Sequence, residues 1–214
     1  MFLVDGEKTM LRKDVKEFIQ FSLDLYEDCP DAAHGVKHIT EVIEHAVAMA
    51  NEMNVDTNIA AVAACFHDIG LIWNGGGREL HHLKSGQFIE ENIEVFRCYF
   101  TDREIEKVKA AVEEHRSSYK GDYTSIYSVI ISDADRSCDI ITMISRSYLY
   151  NRDHGVPEDK IYQEVFSHLT EKYGKEGRVK LHLPYAKELL KASQEIIADE
   201  NKFKAIYEYV IKNL

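Results

Sequence analysis

Apolar residues recur at three- and four-residue spacing along nearly the whole chain, the mark of amphipathic helices. Leu11, Val15, Phe18, Ile19, Ser22, Leu25 and Tyr26 predict a first helix from about residue 10, ending at Cys29-Pro30. Val36, Ile39, Val42, Ile43, Ala46, Val47, Ala50 and Met53 predict a second. Asp56 and Thr57 offer an N-cap for IAAVAACFHDIG, which is apolar nearly all round and so reads as a buried helix with His67 and Asp68 inside it. NGGGRE, residues 74–79, predicts a loop, and HHLKSGQFIEENIEVF resumes helix. Thr101-x-x-Glu104 is a capping box opening a helix that runs to His115. SYKGD (118–122) breaks the pattern, and one long helix is predicted from about Tyr123 to Tyr150. NRDHGVP reads as a linker, Pro157 opens another helix, and Pro184 suits the first turn of the last one, with Ile206, Tyr207 and Val210 on its face. The class expected is all-α, a helical bundle with additional C-terminal helices.

Composition narrows the partners. The 214 residues suit one large domain, here a single domain over 1–214 with a core at about 34–150 and a helical extension at about 155–214. A net charge of −11 repels nucleic-acid backbones and anionic membranes, so neither a nucleic-acid polymer nor a membrane is expected as partner. A phosphorylated small molecule would need a bound metal or a few placed cations to attract it. Cys29, Cys65, Cys98 and Cys138 form no C-x-x-C pair, and Cys65 in AAVAACF reads as a reduced core thiol. MFLVDGEKTM does not have the form of a signal peptide, and no apolar run approaches the length of a membrane span, so a cytoplasmic location is expected. The three glycines of the 74–79 loop lack the lysine-serine or lysine-threonine pair and the preceding strand of a phosphate cradle.

Three features carry chemistry. His67-Asp68 lies in a buried apolar stretch, where an ionised aspartate is costly unless paired or bound to a metal. In ISDADR (131–136), Asp133 and Asp135 point roughly 200° apart on a regular helix. Asp135 falls on the apolar side with Ile131 and Cys138, and Asp133 toward solvent or a supporting position. In HGVKHITEV (34–42), His38 shares a face with Val42 and His45.

The ordered set His38, His67-Asp68 and Asp135, in the contexts HGVKHITEV, HDIG and DADR, resembles the HD superfamily of metal-dependent phosphohydrolases. The resemblance spans about residues 34–139 and implies a bundle of the HD-domain type in which His38, His67, Asp68 and Asp135 bind one divalent metal. HHLKSG (81–86) and AAVEEHRS (110–117) extend it, implying that His82, with His81 as the lesser alternative, and His115 bind a second ion bridged by Asp68. Leu71 and Ile72 stand where the alarmone hydrolases carry Glu-Asp, and no Gly-Tyr-Pro follows His115 as in the cyclic-dinucleotide branch. The run Asp135-Arg136-Ser137-Cys138-Asp139 is one residue longer than the usual Asp-Arg-Leu-Asp.

Imidazole and carboxylate ligands without thiolate suit one or two ions of Mn²⁺, Fe²⁺, Co²⁺, Ni²⁺ or Zn²⁺, and Mg²⁺ where few histidines bind. The reaction expected is hydrolysis of a small phosphorylated metabolite, a nucleotide foremost, by a metal-activated water, with Asp68, Lys84 and Arg136 as catalytic residues. Arg78 and Arg116 are further candidate cations. Two alternatives come from other classes: an HD-fold di-iron oxygenase, and a non-enzymatic sensor or scaffold. SYLYN (147–151) and IYEYVI in the latter would offer a partner or homodimer surface.

Overall fold

The computed structural model of the chain describes residues 10–27, 29, 34–74, 77–137 and 139–214. The N-terminal segment, Pro30, two glycines of the 74–79 loop and Cys138 lie outside the described residues, and the readings placed on them stand only as sequence readings. Among the described residues the structure is all helical, without a strand. The helices are α1 (Lys13–Asp24), α2 (Val36–Glu52), α3 (Thr57–Phe66), α4 (His81–Glu91), α5 (Ile93–Arg97), α6 (Asp102–Glu114), α7 (Ile126–Arg136), α8 (Ile140–Asp153), α9 (Glu158–Tyr173), α10 (Pro184–Ile197) and α11 (Glu200–Lys212). A short 3₁₀ turn, Ile69–Leu71, lies between α3 and α4.

The chain divides into two compact units, Met1–Asp135 and Arg136–Leu214. In the first, α3 is the centre: every residue from Thr57 to Phe66 is buried, and α1, α2 and α6 pack around it. Its apolar surface on all sides has no other use. Asp56 caps it by accepting from Asn58 N at 2.7 Å. An aromatic cluster fills one side, with Phe18 against Phe66 at 5.4 Å, Phe96 at 5.3 Å and Tyr99 at 4.5 Å between ring centres. In the second unit α8 packs on α9 and α11, and α10 on α9 and α11, over a core that includes Ile144, Ile161, Val165 and Phe203. The grouping therefore differs from the sequence reading, which placed α8 with the metal-binding part.

Several predicted helices are interrupted, each for a local reason. α1 begins at Lys13, because Arg12 takes a non-helical ψ of 147°, with its backbone N–H donated to Asn58 Oδ1 at 2.9 Å. The run from His81 breaks at Asn92, whose side chain donates to Phe88 O at 2.8 Å. The helix predicted over 123–150 is two helices. The Asp139 carboxylate accepts from Ile141 N at 2.8 Å and Thr142 N at 3.0 Å and so starts α8 afresh. Asp139 thus has a capping role. Asp199 splits the predicted last helix in the same way, accepting from Lys202 N at 3.1 Å to start α11. The capping box at Thr101 and Glu104 is present, and Pro184 stands in the first turn of α10.

Cys65 is buried, and burial pushes its thiol up to about 12, in keeping with an inert core residue. Cys98, by contrast, is exposed. Tyr148 and Tyr207 belong to packed helix faces of the second unit, whereas Tyr150 and Tyr209 are exposed. No helix among the described residues is long and apolar enough to cross a membrane.

Candidate metal centre

The His-Asp pair sits at the end of α3, not in the middle of a longer helix as the apolar run suggested. α3 stops at Phe66, His67 is its C-cap, and Asp68 leads into the 3₁₀ turn. Both side chains are buried. α2 supplies His38 from its first turn, and α7 supplies Asp135 from its last. His38 Nε2 stands 3.3 Å from Asp135 Oδ1 and 3.7 Å from Asp68 Oδ2. His67 Nε2 stands 3.2 Å from Asp68 Oδ2 and 3.7 Å from Asp135 Oδ1. The four residues taken from the resemblance as one ligand set are thus brought together, their donor atoms within 4.8 Å of one another.

A second group shares Asp68. His81 Nε2 lies 3.1 Å from Asp68 Oδ1, and His115 Nε2 lies 3.7 Å from the same oxygen. His115 is the C-cap of α6, and His81 is the first residue of α4. Here the structure differs from the sequence reading, which placed His82 in this position and His81 behind it. His81, Ser85 and Ile89 follow one another at four-residue steps on α4, and Ser85 and Ile89 are buried. That row faces the interior, and His82 lies one position further round the helix. The signal available in the sequence was Ser85, four residues after His81, but Gly86 stands equally four after His82.

The histidines are set by backbone carbonyls. Nδ1 of His67 lies 2.7 Å from Ala64 O, Nδ1 of His115 lies 2.6 Å from Val112 O, and Nδ1 of His81 lies 2.8 Å from Arg78 O. A carbonyl only accepts, so each Nδ1 carries a hydrogen and each Nε2 is turned into the site, where a cation can take the place of any proton it holds. This is the usual way a protein orients a metal-binding histidine. His81 Nε2 and His115 Nε2 approach to 3.1 Å, where two lone pairs repel unless a proton or a cation lies between them. The buried Nε2 of His67 makes no hydrogen bond. Ligands about 2.1 Å from one ion and at right angles stand about 3 Å apart, so the spacings of both groups fit a divalent cation.

The carboxylates dominate the local electrostatics. Burial works against the Asp68 charge, but His67 and His81 outweigh it and hold the carboxyl well below its usual range. Asp135 is held low in the same way by His38 and His67 against burial. Burial disfavours a charged His67, yet Asp68 and Asp135 raise it well above the usual histidine value. His115 is pushed down to about 4, first by burial and then by His67.

Other candidates fall as follows. Asp135 keeps 28% of its side chain exposed, while Asp133 is fully buried. Asp133 does not face solvent, because α7 is buried along most of its length. Lys84 Nζ donates to Asn74 O at 3.4 Å, and Arg116 donates to Glu79 O, so both hold carbonyls of the loop before α4. Arg78 is exposed, and Arg136 is the residue after Asp135 at the end of α7. Beside His115, the buried Glu114 accepts from Thr124 N at 3.0 Å and Thr124 Oγ1 at 2.9 Å, anchoring the following loop.

Replacing His81 by alanine should remove one ion of a loaded pair, and replacing His82 should not. Metal content of the two variants after Mn²⁺ loading and gel filtration checks this. Equal loss in both would restore His82 to the ligand set.

Residues 35–138 match the family model of the HD domain. No curated protein matches the chain. Among solved structures, a predicted HD superfamily hydrolase from an uncultured Thermotogales bacterium is 18% identical, with 93% of this chain and 92% of that chain covered at a TM-score of 0.57. A protein of Lactobacillus plantarum is 15% identical over 94% of this chain and 100% of its own, at 0.61. YpgQ of Bacillus subtilis, solved in complex with ADP, is 18% identical over 94% of each chain, at 0.60. At these identities the likeness is one of fold. The matched segment contains His38, His67, Asp68, His81, His115 and Asp135, and this stretch of the chain is identified as an HD domain.

Proposed function

We propose that the chain is a metal-dependent phosphohydrolase acting on a small phosphorylated metabolite, a nucleotide foremost. The observation that carries this reading is the division of labour within Asp68. Its Oδ2 faces His67 at 3.2 Å and its Oδ1 faces His81 at 3.1 Å, so one carboxylate serves two ligand groups. His38, His67, Asp68 and Asp135 would hold one divalent ion, and Asp68, His81 and His115 a second. Ions held there would bring a coordinated water toward a neutral pKa and polarise a phosphoryl oxygen.

The chain's own groups do the rest. The carbonyls of Ala64, Arg78 and Val112 keep the rings turned inward. Asp68 and Asp135 supply the negative charge that favours a cation over water. Lys84 and Arg136 are assigned to offset the charge of the phosphoryl group. A donor set of imidazoles and carboxylates favours Mn²⁺, Fe²⁺, Co²⁺, Ni²⁺ or Zn²⁺ over Mg²⁺. The nucleotide assignment is supported by the family and by the ADP found with YpgQ. The test is phosphate release from nucleoside mono-, di- and triphosphates with Mn²⁺ and with chelator. Release that depends on metal supports the reading. A folded, metal-loaded protein inert to all of them, but taking up O₂ with iron bound, would make it an oxygenase instead.

A further inference from the structure

We propose that Ser85 is a positioning residue whose buried hydroxyl sets the spacing between the His67–Gly70 turn and His81, and thereby the capacity of the second ligand group. The proposal rests on the reading of Asp68 as a shared ligand. Ser85 is fully buried and bonded on both sides of Asp68. Its Oγ donates to His67 O at 2.8 Å and accepts from Gly70 N at 3.0 Å. Both partners are backbone atoms left over where α3 ends and the 3₁₀ turn begins, and such groups need a partner when buried. One hydroxyl supplies both.

The same hydroxyl belongs to α4, one helical turn beyond His81. The contact between elements is close: a Cβ on Gly70 would lie 2.1 Å from His81 O and 2.8 Å from Ser85 N. The first turn of α4 is therefore seated directly on the turn that carries Asp68. The distance of 3.1 Å between Asp68 Oδ1 and His81 Nε2 spans these two elements. Of the first ligand group only Asp68 rides on this seat. His38 and Asp135 come from α2 and α7, and the His67 ring is fixed by Ala64 O within α3. Loss of the Ser85 hydroxyl therefore loosens His81 against Asp68, while three of the four ligands of the first group stay held from elsewhere.

The experiment uses the full chain, with Ser85→Ala beside Ser22→Ala. Ser22 is also fully buried and donates to Phe18 O at 2.8 Å on α1, a helix that carries no proposed ligand. Mn²⁺ content is measured by mass spectrometry of the metal, Co²⁺ binding by visible absorption, and thermal midpoints by circular dichroism. The wild type should bind two ions. Ser85→Ala should keep the first and bind the second about 10- to 100-fold more weakly, the usual effect of removing a group that orients a ligand. Ser22→Ala should lower the midpoint and leave both affinities unchanged. Should Ser85→Ala fail to fold, Ser85→Cys keeps a weak donor and acceptor of similar shape, and a weakened second ion there gives the same support. A second-ion affinity in the folded Ser85 variant equal to wild type overturns the proposal alone. A wild type that holds one ion overturns the shared-ligand reading and the proposal with it.

Discussion

Asp68→Ala is expected to lower metal-dependent phosphate release about 10³-fold while leaving the chain folded. Asp68 is the one residue common to both ligand groups. Its loss removes a donor and a charge from each, and the charge stabilisation a metal site contributes to a transition state, about 4 kcal/mol, corresponds to about that factor. Buried charges usually destabilise when a partner is removed. Here the partner can discharge. His67 is held high by Asp68 and Asp135 against burial, so without Asp68 it sheds its proton more readily and less unpaired charge is left behind. Steady-state phosphate release at saturating Mn²⁺ and far-UV circular dichroism read the two halves of this expectation. A folded variant with more than a tenth of wild-type activity would remove Asp68 from the centre of the reaction.

Gly70→Ala should destabilise the first unit by about 3 kcal/mol, the upper part of the range for forced overpacking. Gly70 does not occupy the left-handed region, so the requirement is for space and not for backbone freedom. The added Cβ would meet His81 O at 2.1 Å, and a carbonyl of a seated helix cannot move aside as a side-chain tip can. For a unit of this size the cost corresponds to a fall in midpoint on the order of 10 °C. Gly86 makes the contrast. A Cβ there would also approach to 2.1 Å, but to Glu113 Oε1, the far end of a flexible side chain. Gly86→Ala should therefore cost much less. Thermal melts of the two variants decide it, and equal midpoints would mean that α4 can slide on the turn.

The helices were legible where the apolar period was uninterrupted. α2 and α6 match their patterns closely, and the capping box at Thr101 states its own function. Breaks were not legible where the interruption is a single side chain turning back on the backbone. Asn92, Asp139 and Asp199 each sit inside a run whose apolar period continues on both sides. That His38, His67, Asp68 and Asp135 would come together was readable because the four stand in distinctive local contexts. The second ligand group was harder, since adjacent histidines at 81 and 82 differ only in which face of α4 meets the interior. That choice depends on Gly70 and Ser85 fitting together, which is a property of two elements and not of either sequence. Asp133 shows the same limit: helical geometry gives the angle between two aspartates but not what covers each side.

His67 and His115 close the C-terminal ends of α3 and α6, and Asp135 lies in the last turn of α7. The end of a helix where carbonyls go unpaired carries about half a negative charge. Three such ends border one small volume, so the peptide dipoles attract a cation before any side chain is counted. The same field opposes a phosphate, and the overall charge of −11 adds to the opposition. On the proposed function, substrate is therefore expected to arrive second. Calorimetry at low salt should detect no binding of ADP in the presence of chelator and clear binding once Mn²⁺ is added. An ADP affinity that ignores the metal would show that the anion is received elsewhere. On that reading the backbone, ahead of any catalytic group, would prescribe the order in which the two charges of opposite sign are taken up.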